Sequence, residues 1–265
     1  MAALQLNSQA DVAQNLERAA ELVARAAQRG AELVLLPENF AFFGAEAQKR
    51  ALAEPLVDGV ISQALSEMAK ESSVYVVAGG FPERTSDPER PHNTALVVAP
   101  DGSQLGSYRK IHLFDVELGS GGSYSESAAT SPGSAPVVLD VGGFRLGLSI
   151  CYDLRFPELY RALSDAGAEV LLVPAAFTLH TGKDHWHVLL RARAIEAQAF
   201  VVAAAQQGAH PGGRHTYGHS LIVDPWGTVV ADAPDGPGIV FATLERSRLE
   251  SVRRSLPSLQ HRKLK

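Results

Sequence analysis

Apolar residues follow two rhythms along this chain. Short continuous runs at 33–36 (LVLL), 74–78 (VYVVA), 146–150 (LGLSI) and 170–173 (VLLV) read as strands, and LVLL and VLLV leave no face for water. Between them the spacing becomes helical: Val12, Leu16, Ala19, Val23 and Ala26 share one face of a helix over 11–29, and Gly30 is its stop. A second helix is predicted over about 61–71, and another opens on Pro157. Residues 4–6 make a short first strand, and the polar, turn-rich stretch 82–91 reads as an exposed loop. Strands at 95–98 and 104–108 flank Pro100-Asp101-Gly102, a hairpin signature.

This plan occurs twice. GAELVLLPENF (30–40) matches GAEVLLVPAAF (167–177), VYVVAGG (74–80) resembles FVVAAAQ (200–206), and TALVVAPDGSQLG (94–106) resembles SLIVDPWGTVVAD (220–232). Three matches in the same order predict two related halves, each a sheet covered by helices on one face. Packed sheet to sheet, they give an α/β fold: a four-layer α-β-β-α sandwich built from two pseudo-symmetric halves. No linker-like stretch divides the chain, so 1–265 reads as one domain with a basic tail from about 244.

Composition narrows the classes. A chain of 265 residues with 46% hydrophobic and 20% charged residues can bury a full core. A net charge of −5 and a pI near 6.0 argue against nucleic-acid binding, and no apolar run is long enough to span a membrane. The opening MAALQLNSQ is too short an apolar run for a signal peptide. One cysteine excludes an internal disulfide, which fits the reducing cytoplasm. The tail from 244 carries seven Lys or Arg against two Glu, and in a net acidic chain it reads as a subunit contact or a solvated tail.

Candidate chemistry gathers at strand tips. The run at 146–150 delivers Cys151 to a strand end, where Tyr152-Asp153 turn the chain, and the run at 33–36 ends on Pro37-Glu38. A lone cysteine is often only a small buried hydrophobe, so partners must decide. Glu38 is placed to be one, and Lys110 in SYRKIHLFD (107–115) another; a surface lysine is the competing reading, but Ile111, Leu113 and Phe114 make a poor surface context. Ser149 lacks the second glycine of a nucleophile elbow and should face the core. His185, His187, His215 and His219 suggest a metal, yet no carboxylate or cysteine joins them at ligand spacing, so none is expected. His185-Trp186 instead line or support the mouth of the site.

PENF with Glu38, YRKIHLFD with Lys110 and GLSICYDLRFPELYRAL with Cys151 resemble the three catalytic motifs of the nitrilase, or carbon-nitrogen hydrolase, superfamily. The resemblance runs from residue 3 to about 262 and implies the same α-β-β-α fold. It implies that the Cys151 thiolate attacks an amide carbon, that Glu38 is the general base and acid, and that Lys110 and the Tyr152 backbone N–H stabilise the oxyanion. A second glutamate holding Lys110 and Cys151 is assigned to Glu126 rather than Glu117. Arg155 resembles an anchor for a substrate carboxylate, the alternative being an ion pair with Asp153 or Glu158. Phe177 and Thr181, on a loop after the strand ending at Pro174, would line the same pocket.

The segments 175–206, 216–231 and 252–257 further resemble the branch whose members hydrolyse deaminated glutathione. That implies a small, carboxylate-bearing amide substrate, no cofactor, and room for a peptide tail around 177–187 and 206–215. Rival readings are an ω-amidase acting on α-ketoglutaramate or α-ketosuccinamate, an N-carbamoyl amino-acid hydrolase, or a catalytically silent scaffold. A homo-oligomer, dimer or larger, is expected because this fold commonly extends its sandwich across a two-fold axis.

Overall fold

The computed structural model describes residues 1–119 and 122–264. In the first half, β1 (Ala2–Leu6), β2 (Leu33–Leu36) and β3 (Tyr75–Glu83) pair in parallel, and β4 (His92–Val98) and β5 (Gln104–Arg109) extend the sheet antiparallel. Helices α1 (Val12–Gln28) and α3 (Val60–Ser72) cover its outer face, and the short α2 (Glu46–Ala51) lies between them in sequence. The Asp11 side chain caps α1 by accepting from the Gln14 N–H. Alternation along each strand sorts the core: Leu4, Val34, Leu36, Val76 and Val98 pack with Val23 and Leu65 of the helices. Ala3, Leu33, Leu35, Val77 and Val97 point the other way, into the core of the second half. LVLL is apolar throughout because both of its faces are buried.

The second half opens with a small arm, β6 (Asp115–Glu117) paired to β7 (Ser123–Ser125). Its sheet comprises β8 (Val138–Val141), β9 (Phe144–Leu148), β10 (Val170–Ala175), β11 (Phe200–Ala209), β12 (His215–Tyr217), β13 (Leu221–Val223) and β14 (Val229–Asp232). β9, β10 and β11 run parallel, crossed over by α4 (Pro157–Asp165) and α5 (Leu179–Ala197), which form the fourth layer. The chain returns to the first half as β15 (Gly238–Phe241), antiparallel to β1, and ends in α6 (Arg246–Ser255). The two sheets are stitched at one corner, where β1 and β11 pair at Gln5–Ala205 and Leu6–Gln206. Elsewhere they meet face to face, so closely that a Cβ on Gly79 would stand 2.0 Å from Pro174 Cβ. Among the described residues no helix is long and apolar enough to cross a membrane.

Three expectations need correction. The stretch 82–91 is not loop throughout: β3 continues to Glu83, which pairs with His92. Glu83 is tolerated inside because Arg109 Nε, at 2.7 Å, and Thr94 Oγ1, at 2.7 Å, both donate to it. Residues 179–187 are the first turns of α5, not a loop; Thr178 caps them, and polar His180, Asp184 and His185 hide the helix from a hydrophobic-period reading. Of the two readings of the basic tail, a subunit contact or a solvated tail, the second fails. Leu249 and Val252 are buried, Arg253 donates to the carbonyls of Gln198 and Ala168, and Arg246 and Arg262 pair with Glu169 and Asp165.

Candidate active site

Glu38 follows β2 by two residues and is buried at the seam between the sheets. Asn39 beside it adopts φ 59°, turning the chain so that its N–H donates to the Gly80 carbonyl at 2.9 Å. Gly80 must be glycine: its φ is +81°, and a Cβ would lie 2.7 Å from Glu38 Cγ. Glu38 Oε1 accepts from Lys110 Nζ at 3.0 Å and Asn93 Nδ2 at 2.9 Å, and Oε2 accepts from the Ala176 N–H at 3.0 Å. The first half thus supplies the carboxylate, and the strand end of β10 in the second half orients it.

Lys110, just past β5, is 2% exposed, which removes the surface reading. Its ammonium lies between two carboxylates, with Glu126 Oε2 at 2.8 Å and Oε1 at 3.1 Å opposite Glu38. Glu126 sits in a 3-10 turn directly after β7 and also accepts from the Phe114 N–H at 2.7 Å; Glu117 is exposed on β6. Burial works to raise the Glu38 carboxyl, but the charges of Lys110 and Lys49 and its hydrogen bonds outweigh it and hold the group below its usual range. Burial likewise opposes the Lys110 charge, and Glu126 and Glu38 overcome it, leaving the amine well above its ordinary value. Asn93, which sequence reading passed over, is buried and donates to both Glu38 and Glu126. A polar residue just ahead of the apolar run 95–98 was its only signal.

Cys151 begins a 3-10 turn (Cys151–Arg155) three residues beyond β9, with φ 49°, a left-handed conformation unusual for a non-glycine residue. Burial pushes its thiol well up, the Glu38 charge adds to this, and Lys110 opposes it. The resting pair is therefore a protonated thiol beside an ionised carboxylate. Asp153, fully buried, fastens this turn to the lysine segment. Its carboxylate accepts from the Ile150 N–H at 2.9 Å, the Tyr108 hydroxyl at 2.7 Å and the His112 N–H at 3.0 Å, and meets His112 Nδ1 at 2.7 Å. Ser149 faces the core as expected, bonded to Tyr160 and the Leu172 carbonyl.

The cluster opens into a cavity of about 450 Å³ lined by Arg155, Phe177 and Thr181 as well as Glu38, Lys110 and Cys151. Neither Asp153 nor Glu158 pairs with Arg155. Among the described residues it makes no ion pair; its Nη1 contacts His185 Nδ1 at 3.2 Å, and its guanidinium lies 4.9 Å from the Phe177 ring centre and 5.9 Å from that of Tyr152. Phe177 is backed by Trp186, whose ring centre is 5.1 Å away and whose Nε1 donates to the His219 carbonyl. Thr181 Oγ1 lies 2.9 Å from Thr178 Oγ1 at the start of α5. Away from the cavity, the histidines acquire a carboxylate that sequence spacing does not show: Asp232 lies 2.8 Å from His187 Nε2 and 3.2 Å from His219 Nδ1. The three offer ligand atoms within 4.8 Å of one another. His185 and His215 stand apart from that group, His215 lining the cavity and His185 against Arg155.

A buried thiol, carboxylate and ammonium gathered at the strand tips of a two-sheet sandwich suit hydrolysis of an amide. The chain belongs to the carbon-nitrogen hydrolase family, which its residues 1–254 match. A deaminated glutathione amidase of Synechocystis sp. is 50% identical over 264 residues, covering 98% of this chain and 97% of its own. Saccharomyces cerevisiae Nit3, a member of branch 10 of the nitrilase superfamily, superposes with a TM-score of 0.89 at 34% identity, over 99% of this chain and 96% of that one. A glutamate-to-glutamine mutant of an amidase from Nesterenkonia sp. AN1 (TM-score 0.80, 30% identity, 98% of each chain) shows the result of Michael addition of acrylamide at its active-site cysteine.

Proposed function

We propose that the protein hydrolyses the internal amide of deaminated glutathione, releasing α-ketoglutarate and cysteinylglycine through a thioester on Cys151. The observation that carries the chemistry is the group of buried Cys151, Glu38 and Lys110 with partly buried Glu126, opening on a cavity whose wall holds the Arg155 guanidinium, which makes no ion pair among the described residues. The name of the Synechocystis relative supports the substrate, and the acrylamide adduct of the Nesterenkonia amidase supports the cysteine.

In this mechanism Glu38, kept ionised, takes the proton from the Cys151 thiol as sulfur attacks the amide carbon. The carbonyl oxygen becomes an oxyanion facing Lys110 and the Tyr152 N–H. A fixed donor in a dry site contributes roughly 3–4 kcal/mol to such a step. The C–N bond then breaks, Glu38 returns its proton to the departing cysteinylglycine nitrogen, and the α-ketoglutaryl group stays on sulfur. Water enters, gives a proton to Glu38 and attacks the thioester; collapse releases α-ketoglutarate, and the thiol recovers its proton. Glu126 holds the ammonium in place throughout. Arg155 takes the α-keto acid carboxylate in a two-point contact, the Phe177 ring covers the acyl chain, and the Thr181 hydroxyl offers a further hydrogen bond.

The test is kcat/KM for deaminated glutathione against α-ketoglutaramate on one preparation, with intact-mass detection of an acyl adduct on Cys151. Deaminated glutathione should be favoured, and Arg155→Lys should depress both, because lysine does not reproduce a planar bidentate contact. A clear preference for α-ketoglutaramate would make the protein an ω-amidase. Undiminished turnover in Arg155→Lys would remove Arg155 from the site, and absence of any adduct or turnover would leave a silent scaffold.

A further inference from the structure

The cavity wall carries more positive charge than the chemistry uses. Besides Lys110, whose ammonium is occupied by two glutamates, Arg155, Lys49 and Arg214 all line it. Lys49 lies on α2 and is half-buried; like Arg155, it makes no ion pair among the described residues. Arg214, between the Pro211–Gly213 turn and β12, meets one carboxylate, Glu46 Oε1 at 3.1 Å. That pair is half-exposed, with side chains 35% and 40% accessible, so it is a weak, solvent-screened contact that a better partner can replace.

Arg155 and Arg214 stand at the two ends of one aromatic wall. Arg155 lies 5.9 Å from the Tyr152 ring centre; Tyr152 and Tyr124 each lie 5.0 Å from Phe114; and Arg214 lies 5.9 Å from Tyr124. Cys151 opens on the same cavity. A site of this form suits a ligand with an anion at each end and its scissile bond between them. Deaminated glutathione has that form, with the α-keto acid carboxylate on one side of the amide and the glycine carboxylate on the other.

We propose that Arg214 and Lys49 form a second carboxylate subsite at the cavity mouth, which receives the C-terminal carboxylate of the leaving dipeptide in place of Glu46. The proposal rests on the substrate reading above and deepens it. Glu46 occupies Arg214 while the site is empty and turns out to water when the dipeptide carboxylate arrives. Two cations then face one anion, where before Arg214 was paired with Glu46 and Lys49, whose charge reaches Glu38, made no ion pair among the described residues. The subsite makes the enzyme select amides whose leaving group ends in a carboxylate.

The test compares deaminated glutathione with the same compound capped as its C-terminal glycinamide. Losing a charge-assisted contact predicts that the parent favours the free acid about 10- to 100-fold in kcat/KM. Arg214→Met and Lys49→Met should each shrink that ratio, and Arg214→Lys should restore part of it. Glu46→Gln separates competition from simple bracing: removing the competing carboxylate should lower KM for the free acid. A parent that treats the two compounds alike, a ratio unchanged in Arg214→Met, or a Glu46→Gln variant that weakens the free acid as Arg214→Met does would each overturn the proposal. Preference of the parent for α-ketoglutaramate over both would overturn the substrate reading instead, while the ratio within the capped pair still tests the subsite.

Discussion

At the scale of single residues, the site is a balance of buried charge. Two carboxylates and one ammonium lie within hydrogen-bond distance, and the thiol beside them stays neutral. Cys151→Ala should abolish turnover while melting like the parent, since the change is small and local; ammonia or dipeptide release by a folded Cys151→Ala protein would refute the thioester. Lys110→Met carries a sharper signature. In the parent, Glu38 titrates below its usual range, so its contribution to stability is present above roughly pH 4 and is lost as pH falls through the lower folded value. Lys110 titrates above its usual range, so its contribution is full below about pH 10 and is lost only as pH rises through the higher folded value. Without the ammonium, the largest remaining influence on Glu38 is burial, which raises its carboxyl, so the variant should lose stability as pH rises above the ordinary carboxylate range, where the parent does not. Melting temperature against pH reads this directly, and matching curves would show that Lys110 does not hold the carboxylates. Unpaired buried charge of this kind costs about 3–5 kcal/mol. Glu38, Lys110 and Cys151 were legible because each sits in a contiguous motif. Asn93 was not, because it lies outside those motifs and meets Glu38 only through folding, 55 residues away; Asp153 stands in the Cys151 motif, but its bond to His112, 41 residues away, is made only in the fold.

At the scale of elements, the geometry of the candidate site depends on how turns are tied together. Asp153 binds the Cys151 turn to the segment after β5, and burial with the neighbouring Asp153 charge keeps the Tyr108 hydroxyl protonated as a donor. Asp153→Asn replaces one acceptor oxygen with an NH2 group that faces donors. It should lower kcat about 10- to 100-fold through misplacement of Cys151 and Lys110, with a smaller change in KM. Tyr108→Phe, which removes one donor alone, should lose less; equal kcat in Asp153→Asn and the parent would make the clamp incidental. Continuous apolar runs made β2 and β10 legible to within a residue or two, since a strand buried on both faces has no other composition open to it. α5 escaped notice because it carries polar residues through its first turns, where it borders the cavity. The tail escaped because its anchoring depends on two apolar side chains and on arginines whose partners lie 77 to 97 residues away.

At the scale of the whole molecule, the site exists only where the halves meet. Glu38, Asn93 and Lys110 come from the first half; Cys151, Ala176 and Arg155 come from the second. The internal repeat made the sandwich legible, but not the stitch between β1 and β11, which Gln206 secures. Its amide donates to Ser8 Oγ at 2.8 Å and to the Glu38 carbonyl at 3.0 Å. The spacing of the two sheets therefore bears on the distance between carboxylate and thiol, and Gly79 against Pro174 is a point where that spacing leaves no room for a side chain. A methyl group on Gly79 would meet Pro174 Cβ and Cγ at 2.0 Å, one strand end from the Ala176 N–H that orients Glu38. Gly79→Ala should cost about 1–3 kcal/mol in stability by overpacking. It should also reduce kcat well below the melting transition, because the sheets can make room only by moving Glu38 and Cys151 apart. Pro174→Gly in the same chain should recover part of both losses, since the two changes share one contact. A Gly79→Ala protein with the parent's melting temperature and kcat would show slack between the sheets and sever the link between their packing and the chemistry.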